Sequence, residues 1–187
     1  HGIAPSIAKK EGTTIKSYPP ISFKLTVKGV EELSYRIETK DSFRIVGASF
    51  PLDKEIENNF IAVPQMWQNA AINGTFEKIT PLMNNQPMGV LGVSVCNNKE
   101  EWQYFIAVSS SIDTDNSLDE YIIPACTWAI FSGIGTGISI QELERRIITE
   151  WLPTSGYEYD NAPDMEVYLN PDPNNMQYEA WIPIKKI

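Results

Sequence analysis

Trp151-Leu-Pro-Thr-Ser-Gly-Tyr157, Met165-Glu-Val-Tyr-Leu169 and Trp181-Ile-Pro-Ile-Lys-Lys186 decide how this chain folds. The middle run is short, rich in strand formers and bounded by turn residues, and its period of two gives it two faces. One face carries Glu166 and Tyr168. The other carries Met165, Val167 and Leu169, expected to point toward the helices. An ionised carboxylate is costly to bury unless it finds a cation or hydrogen-bond donors. Glu166, set among aromatic and aliphatic neighbours, is therefore read as lining a ligand pocket. The bland alternative is a strand-face carboxylate that meets water or an arginine such as Arg36 or Arg44.

Outward from that strand, the last run completes a hairpin of 165–169 with 178–184. Upstream, Leu143, Ile147 and Trp151 recur at a spacing of four, with Glu142, Arg145, Arg146 and Glu150 on other sides, which predicts an amphipathic helix over about 139–151. A glycine-rich turn at 133–137 and a strand at 121–131 precede it. The first half reads alike, with strands at 21–27, 33–37 and 43–50. Pro64 suits a first helical turn, and 65–72 then forms a helix with Met66, Trp67, Ala70 and Ala71 on one side and Gly74 as its stop. A hairpin of 88–95 with 102–108 follows. Strand-helix-strand-strand thus appears twice. The fold class is α+β, an antiparallel sheet built from two such repeats about a pseudo-twofold axis, with a central ligand cleft where the halves meet.

The 187 residues, 42% of them hydrophobic, suffice for a substantial core. A formal charge of −9 argues against direct binding to nucleic acid, which needs a basic face, and favours cationic or neutral small ligands. No apolar run approaches the roughly 20 residues that span a bilayer, so the expected setting is soluble and cytoplasmic, with Cys96 and Cys126 as reduced thiols. Gly133-Ile-Gly-Thr-Gly137 lacks the spacing of a dinucleotide fingerprint and the lysine of a phosphate loop. Asp113, Asp115 and Asp119 lack calcium-loop spacing. With His1 as the single histidine, a histidine metal site or a Ser-His-Asp triad is not expected, and no cofactor or metal is assigned.

Trp151-Leu-Pro-Thr-Ser-Gly-Tyr157, Glu166-Val-Tyr168 and Trp181-Ile-Pro-Ile-Lys resemble the GyrI-like effector-binding domain, over roughly residues 33–186. That domain occurs alone and at the C-terminus of bacterial transcription regulators. His1-Gly-Ile-Ala-Pro-Ser-Ile-Ala-Lys-Lys10 is similar to the end of an AraC-type DNA-binding domain, and Tyr18-Pro-Pro-Ile-Ser-Phe23 to the join that follows it. The resemblance implies residues 1–20 as a tail or linker and 21–187 as the effector-binding domain. It implies a small-molecule effector, DNA contacted only through a preceding domain, no membrane partner, and leaves a homodimer open.

For the site, the resemblance implies Glu166 as the carboxylate facing a cationic or polar ligand, with Tyr168, Trp128, Trp67 and Trp181 as candidate aromatic walls. Aromatic faces and one carboxylate attract organic cations. The function expected is ligand sensing for transcription regulation, including multidrug sensing, without catalysis. Two rivals stand beside it. One is a small hydrolase or lyase using Glu166 as general base with a tyrosine hydroxyl. The other is a protein-inhibiting module like the stand-alone members.

Overall fold

The computed structural model describes residues 32–96, 101–114, 117–170, 172 and 174–187. The expected tail at 1–20 and strand at 21–27 lie outside the described residues. From Leu33 onward the chain forms one compact unit. Its elements are β1 (Tyr35–Lys40), β2 (Phe43–Pro51), α1 (Ile56–Ile72), α2 (Thr75–Ile79) with a 3-10 turn (Thr80–Leu82), β3 (Val90–Cys96), β4 (Trp102–Ser109), β5 (Asp119–Ile123), β6 (Cys126–Gly135), α3 (Gly137–Arg146), β7 (Tyr157–Tyr159), β8 (Met165–Tyr168) and β9 (Met176–Lys186). α3 runs on through a π turn (Ile147–Trp151) and a 3-10 turn (Leu152–Thr154).

All nine strands join one antiparallel sheet in the order β1-β6-β9-β8-β3-β4-β2-β5, with β7 beside β9. The two repeats are β2-α1-α2-β3-β4 and β6-α3-β8-β9, and they meet where β3 pairs β8 (Gly92 opposite Glu166). The strand preceding each repeat crosses to the other: β1 pairs β6, and β5 pairs β2. Only Asp41 and Ser42 separate β1 from β2, and only Pro124 and Ala125 separate β5 from β6. Linkers this short span roughly 10 Å, so the two ends of the sheet must curl toward each other.

Curling makes the two faces unequal. The inner face is filled by Ile45, Leu91, Val93, Phe105, Ile123, Trp128, Ile130, Met165, Val167 and Trp181. On the outer face α1 and α2 cover β2 and β4 through Ala70, Ile79, Val63, Met66 and Trp67 against Val46, Tyr104, Ile106 and Val108. There, too, Ile147, Leu143 and Trp151 cover β6 and β9. The strip between these helical layers is the junction of β3 and β8.

Several expectations need correction. The first helix begins at Ile56, not near 65, so Pro64 stands inside it and removes one backbone donor. The apolar stripe Val63, Met66, Trp67 and Ala70 runs across the proline, and burial of that stripe outweighs the local loss. The strand expected over 121–131 is two strands, broken where Pro124 cannot donate to a ladder. Gly133 and Gly135 lie within β6, not in a turn. The ring of Tyr178 lies over Gly133, where a Cβ would come within 2.4 Å of it. β7 was not anticipated. Finally, Met165 and Val167 face the inner core, and it is Glu166 and Tyr168 that lie on the helix-covered side.

Candidate functional site

Period two and the registers converge on one outer-face patch. Glu166 sits opposite Gly92 on one side and Ala180 on the other; Tyr168 sits opposite Val90 and Tyr178. One strand further, Tyr104 of β4 shares this face. Its hydroxyl donates to Glu166 Oε2 at 2.9 Å, and that of Tyr168 donates to the same oxygen at 2.8 Å. The indole N–H of Trp67, on α1, donates to Tyr104 Oη at 3.0 Å, and its ring meets Tyr168 edge-on with centroids 4.7 Å apart. Gly92 makes this possible: a Cβ there would lie 2.1 Å from Tyr104 Oη and 2.7 Å from Glu166 Oε2.

The second helix adds another carboxyl. Ile140, Leu143, Ile147 and Trp151 define the buried side of α3 and its π turn, and Glu144 lies within that stripe. Ser139 Oγ accepts from the Thr136 backbone N–H at 2.6 Å and fixes where the helix starts. Glu144 lies close enough to Glu166 for the two carboxyls to act on each other. Asp164 lies next to the pair, at the end of the segment that interrupts β7 and β8; these two strands run along the same side of β9. Tyr159, at the end of β7, neighbours Asp164 and Glu144.

Electrostatically the patch gathers acidic groups, and among the described residues no ion pair joins a cation to Glu166. Burial, then the charge of Glu166, pushes the Glu144 carboxyl up to about 9. Glu166 is also raised by burial, while the hydrogen bonds from Tyr168 and Tyr104 favour its charged form. Burial raises Tyr104, Tyr159 and Tyr168 as well, so all three keep their hydroxyl protons near neutrality. Asp164, crowded by protein although its side chain reaches solvent, is raised too. Among the described residues, Arg36 pairs with Glu38 and Glu179, Arg44 with Glu120, Arg145 with Glu142 and Arg146 with Glu150. Arg36 and Arg44 are thus engaged away from Glu166.

Of the five residues expected from sequence, three come together here: Glu166, Tyr168 and Trp67. Trp128 and Trp181 do not join them. They lie on the inner face, 0% and 3% exposed, with edge-on rings 5.7 Å apart. Tyr104, Glu144, Asp164 and Tyr159 were not singled out. Glu144 carried a legible signal, since a carboxylate inside an apolar stripe of period 3.6 is as anomalous as one inside an apolar strand. Tyr104 carried none.

Two further features are separate from this patch. An open depression of about 500 Å³ is lined by Phe43, Arg44, Asn84, Ser110, Asp113, Thr114 and Glu120. Its Arg44 is held by Glu120, by the carbonyl of Ile112 at 2.8 Å and by Thr114. Among the described residues no group of three or more His, Cys, Asp or Glu side chains is placed to hold a metal, and no helix is long and apolar enough to cross a membrane.

A family model described as an integron-associated effector binding protein, Cass2, matches residues 36–184. No curated protein sequence matches. Among solved structures, SAV2435 bound to tetraphenylphosphonium is similar with a TM-score of 0.69 at 18% identity, covering 82% of this chain and 94% of that one. The C-terminal domain of EcmrR gives 0.55 at 14% identity, covering 83% and 99%. EcmrR in its DNA complex gives 0.54 at 14% identity, covering 82% of this chain and 58% of that one. At these identities the likeness to solved structures is one of fold.

Proposed function

The chain belongs to the Cass2 family of integron-associated effector binding proteins, and on that premise we propose that it senses organic cations at Glu166 as the effector module of a bacterial transcription regulator. The observation that carries the reading is a carboxylate on an outer-face strand junction, bonded by two tyrosine hydroxyls and roofed by an indole, with no cation paired to it among the described residues. A lipophilic cation placed against the rings of Tyr104, Tyr168 and Trp67 gains attraction both from Glu166 and from the negative ring faces. SAV2435, a relative of the same fold, binds tetraphenylphosphonium.

Regulation then follows from differential affinity. The roof contributed by α1 and the floor contributed by β3, β4 and β8 belong to one repeat and to the repeat junction. A ligand between them favours arrangements in which they are apart, by as much as its affinity for the two states differs. Attachment to a DNA-binding domain of AraC type, a cytoplasmic setting and assembly as a homodimer are parts of this proposal. The likeness of EcmrR, seen in complex with DNA, supports the first of them at the level of a transcription regulator. Ligand turnover forms no part of it.

The test is titration of tetraphenylphosphonium, and of neutral triphenylphosphine oxide, into the protein and into Glu166→Gln, followed by indole fluorescence and thermal shift. Stabilisation grows as RT ln(1 + [L]/Kd). The cation should bind the parent at least tenfold more tightly than the variant, with little change for the neutral compound. Equal cation affinity for both proteins would contradict the proposal.

A further inference from the structure

From Asn58 to Phe76 the sequence carries no charged residue, although 21% of the chain is charged. Most of that stretch is α1, a helix at the surface, and such a helix ordinarily turns charged side chains outward. The helix in the same place in the second repeat does so: α3 and its π turn carry the ion pairs Arg145–Glu142 and Arg146–Glu150. On α1 the outward side instead holds Phe60, 62% exposed, Ile61, 66%, and Ile72, 83%. Exposed apolar side chains gathered on one element mark an interaction site.

The order of residues on that side says what covers it. Ile61, Gln65, Gln68 and Ile72 are all exposed and recur at spacings of four, three and four, the pattern of a helix-pairing seam. Read in either direction the stripe is the same: isoleucine, glutamine, glutamine, isoleucine. A twofold axis midway between Gln65 and Gln68 lays α1 antiparallel on the α1 of a second copy. Ile61 then meets the partner's Ile72, and Gln65 meets the partner's Gln68. Each amide has both a donor and an acceptor, so amide against amide leaves neither group unpaired. Contacts between identical copies about a twofold axis need a patch that complements itself. We propose that the outward stripe of α1 is the surface through which two copies of this chain associate.

Charge selects the same partner. Each copy has a formal charge of −9, so two copies repel except where the contact is neutral. A basic partner is drawn to acidic surface, which α1 lacks beyond Glu57. The stripe from Ile61 to Ile72 is about 16 Å long at the helical rise. A contact of one helix pair belongs with the small interfaces, so the association is weak and depends on concentration. The stripe also lies opposite the candidate site. Trp67, between the two glutamines in sequence, turns the other way, toward Tyr104 and Tyr168. A ligand that shifts the roof over Glu166 shifts the seam with it. This surface names the contact for the homodimer included in the reading above, and only its coupling to ligand rests on the cation part of that reading.

The experiment is sedimentation equilibrium of the protein without ligand, from about 10 μM to about 1 mM. Beside it run Ile61→Glu, Ile72→Glu and, as a control for added charge alone, Gln141→Glu on the exposed side of α3. The parent should show a reversible monomer–dimer equilibrium. Each α1 substitution occurs twice in a twofold contact and sets a carboxylate against an isoleucine, so both should weaken association by at least about tenfold. The control, its charge screened by salt, should change it by no more than about twofold. Thermal melts of all four proteins at low concentration should nearly coincide, because the substituted side chains are exposed. Register is read by mild oxidation in a Cys96→Ser background: Ile61→Cys mixed with Ile72→Cys should link faster than Ile61→Cys alone, whose sulfurs stand about 16 Å apart along the helix. A parent that stays monomeric at the highest concentration would overturn the proposal. A melt lowered by either α1 substitution in such a monomer would show that the rest of the chain covers the stripe, and would overturn it too. A dimer left as tight by both α1 substitutions, or equal rates of linking, would overturn this surface and leave a homodimer through another one. None of these outcomes bears on cation binding at Glu166, which its own titration decides.

Discussion

Tyr104 and Glu166 stand 62 positions apart in the chain, and the hydroxyl of one lies 2.9 Å from the carboxylate of the other. The contact joins the repeats, since Tyr104 belongs to the last strand of the first and Glu166 to a middle strand of the second. Tyr104 also accepts the indole N–H of Trp67. Replacing it with phenylalanine removes a donor from a buried anion and leaves that N–H unpaired. Tyr104→Phe should cost about 1–3 kcal/mol of stability, measured by urea denaturation. It should also weaken cation binding, because a less stabilised Glu166 anion takes up a proton more readily.

Gly92→Ala tests the floor of the cradle. The added methyl meets Tyr104 Oη and Cζ and Glu166 Oε2, so these side chains must give way to it. The expected outcome is a modest stability loss of about 1–3 kcal/mol together with a disproportionate loss of cation binding, at least tenfold by titration. A variant that binds as the parent does would show that the two side chains can part without consequence.

Tryptophans on the inner face provide the contrast. Trp181 packs edge-on against Trp128, donates to Glu179 at 2.8 Å and has Lys40 over its ring. Trp181→Leu should lower stability by about 2–4 kcal/mol, read by chemical denaturation, while cation Kd in the folded variant stays within about twofold.

The pH dependence of stability carries the signature of Glu144. Its folded-state pKa is raised from an ordinary 4.5 to about 9, so between these values the native state holds a proton that the unfolded state has released. Linkage then makes stability fall as pH climbs through that window. Thermal melts from pH 5 to 9 should show the decline, and Glu144→Gln should reduce it and exceed the parent at pH 8 by on the order of 1–2 kcal/mol. Glu120 works in the opposite direction: Arg44 holds its carboxyl down to about 2, so its contribution is present above 4.5 and is lost on acidification toward 2.

The duplicated fold was legible because hydrophobic period is local: the alternation around Glu166 and the four-spacing of Leu143, Ile147 and Trp151 each occur within a dozen residues. The crossing of β1 and β5 to the opposite repeat was not, because strand partners are chosen by packing between distant segments. For the same reason the face of Trp128 could not be read. Its strand register with β9, Trp128 opposite Pro183, is what turns it inward. Pro64 misled for a different reason. A proline in a helix is locally unfavourable, and only the buried stripe on either side of it explains why the helix continues. Glu166 stood out on chemistry alone, while its partners Tyr104 and Glu144 come from other elements and emerge only when β4 and α3 are placed over β8.

The most direct test of the central claim is a crystal structure of the protein with tetraphenylphosphonium. The account predicts the phosphorus within about 6 Å of the Glu166 carboxylate and of an aromatic face from Tyr104, Tyr168 or Trp67. A cation seated instead in the depression around Arg44 and Glu120, away from Glu166, would contradict it.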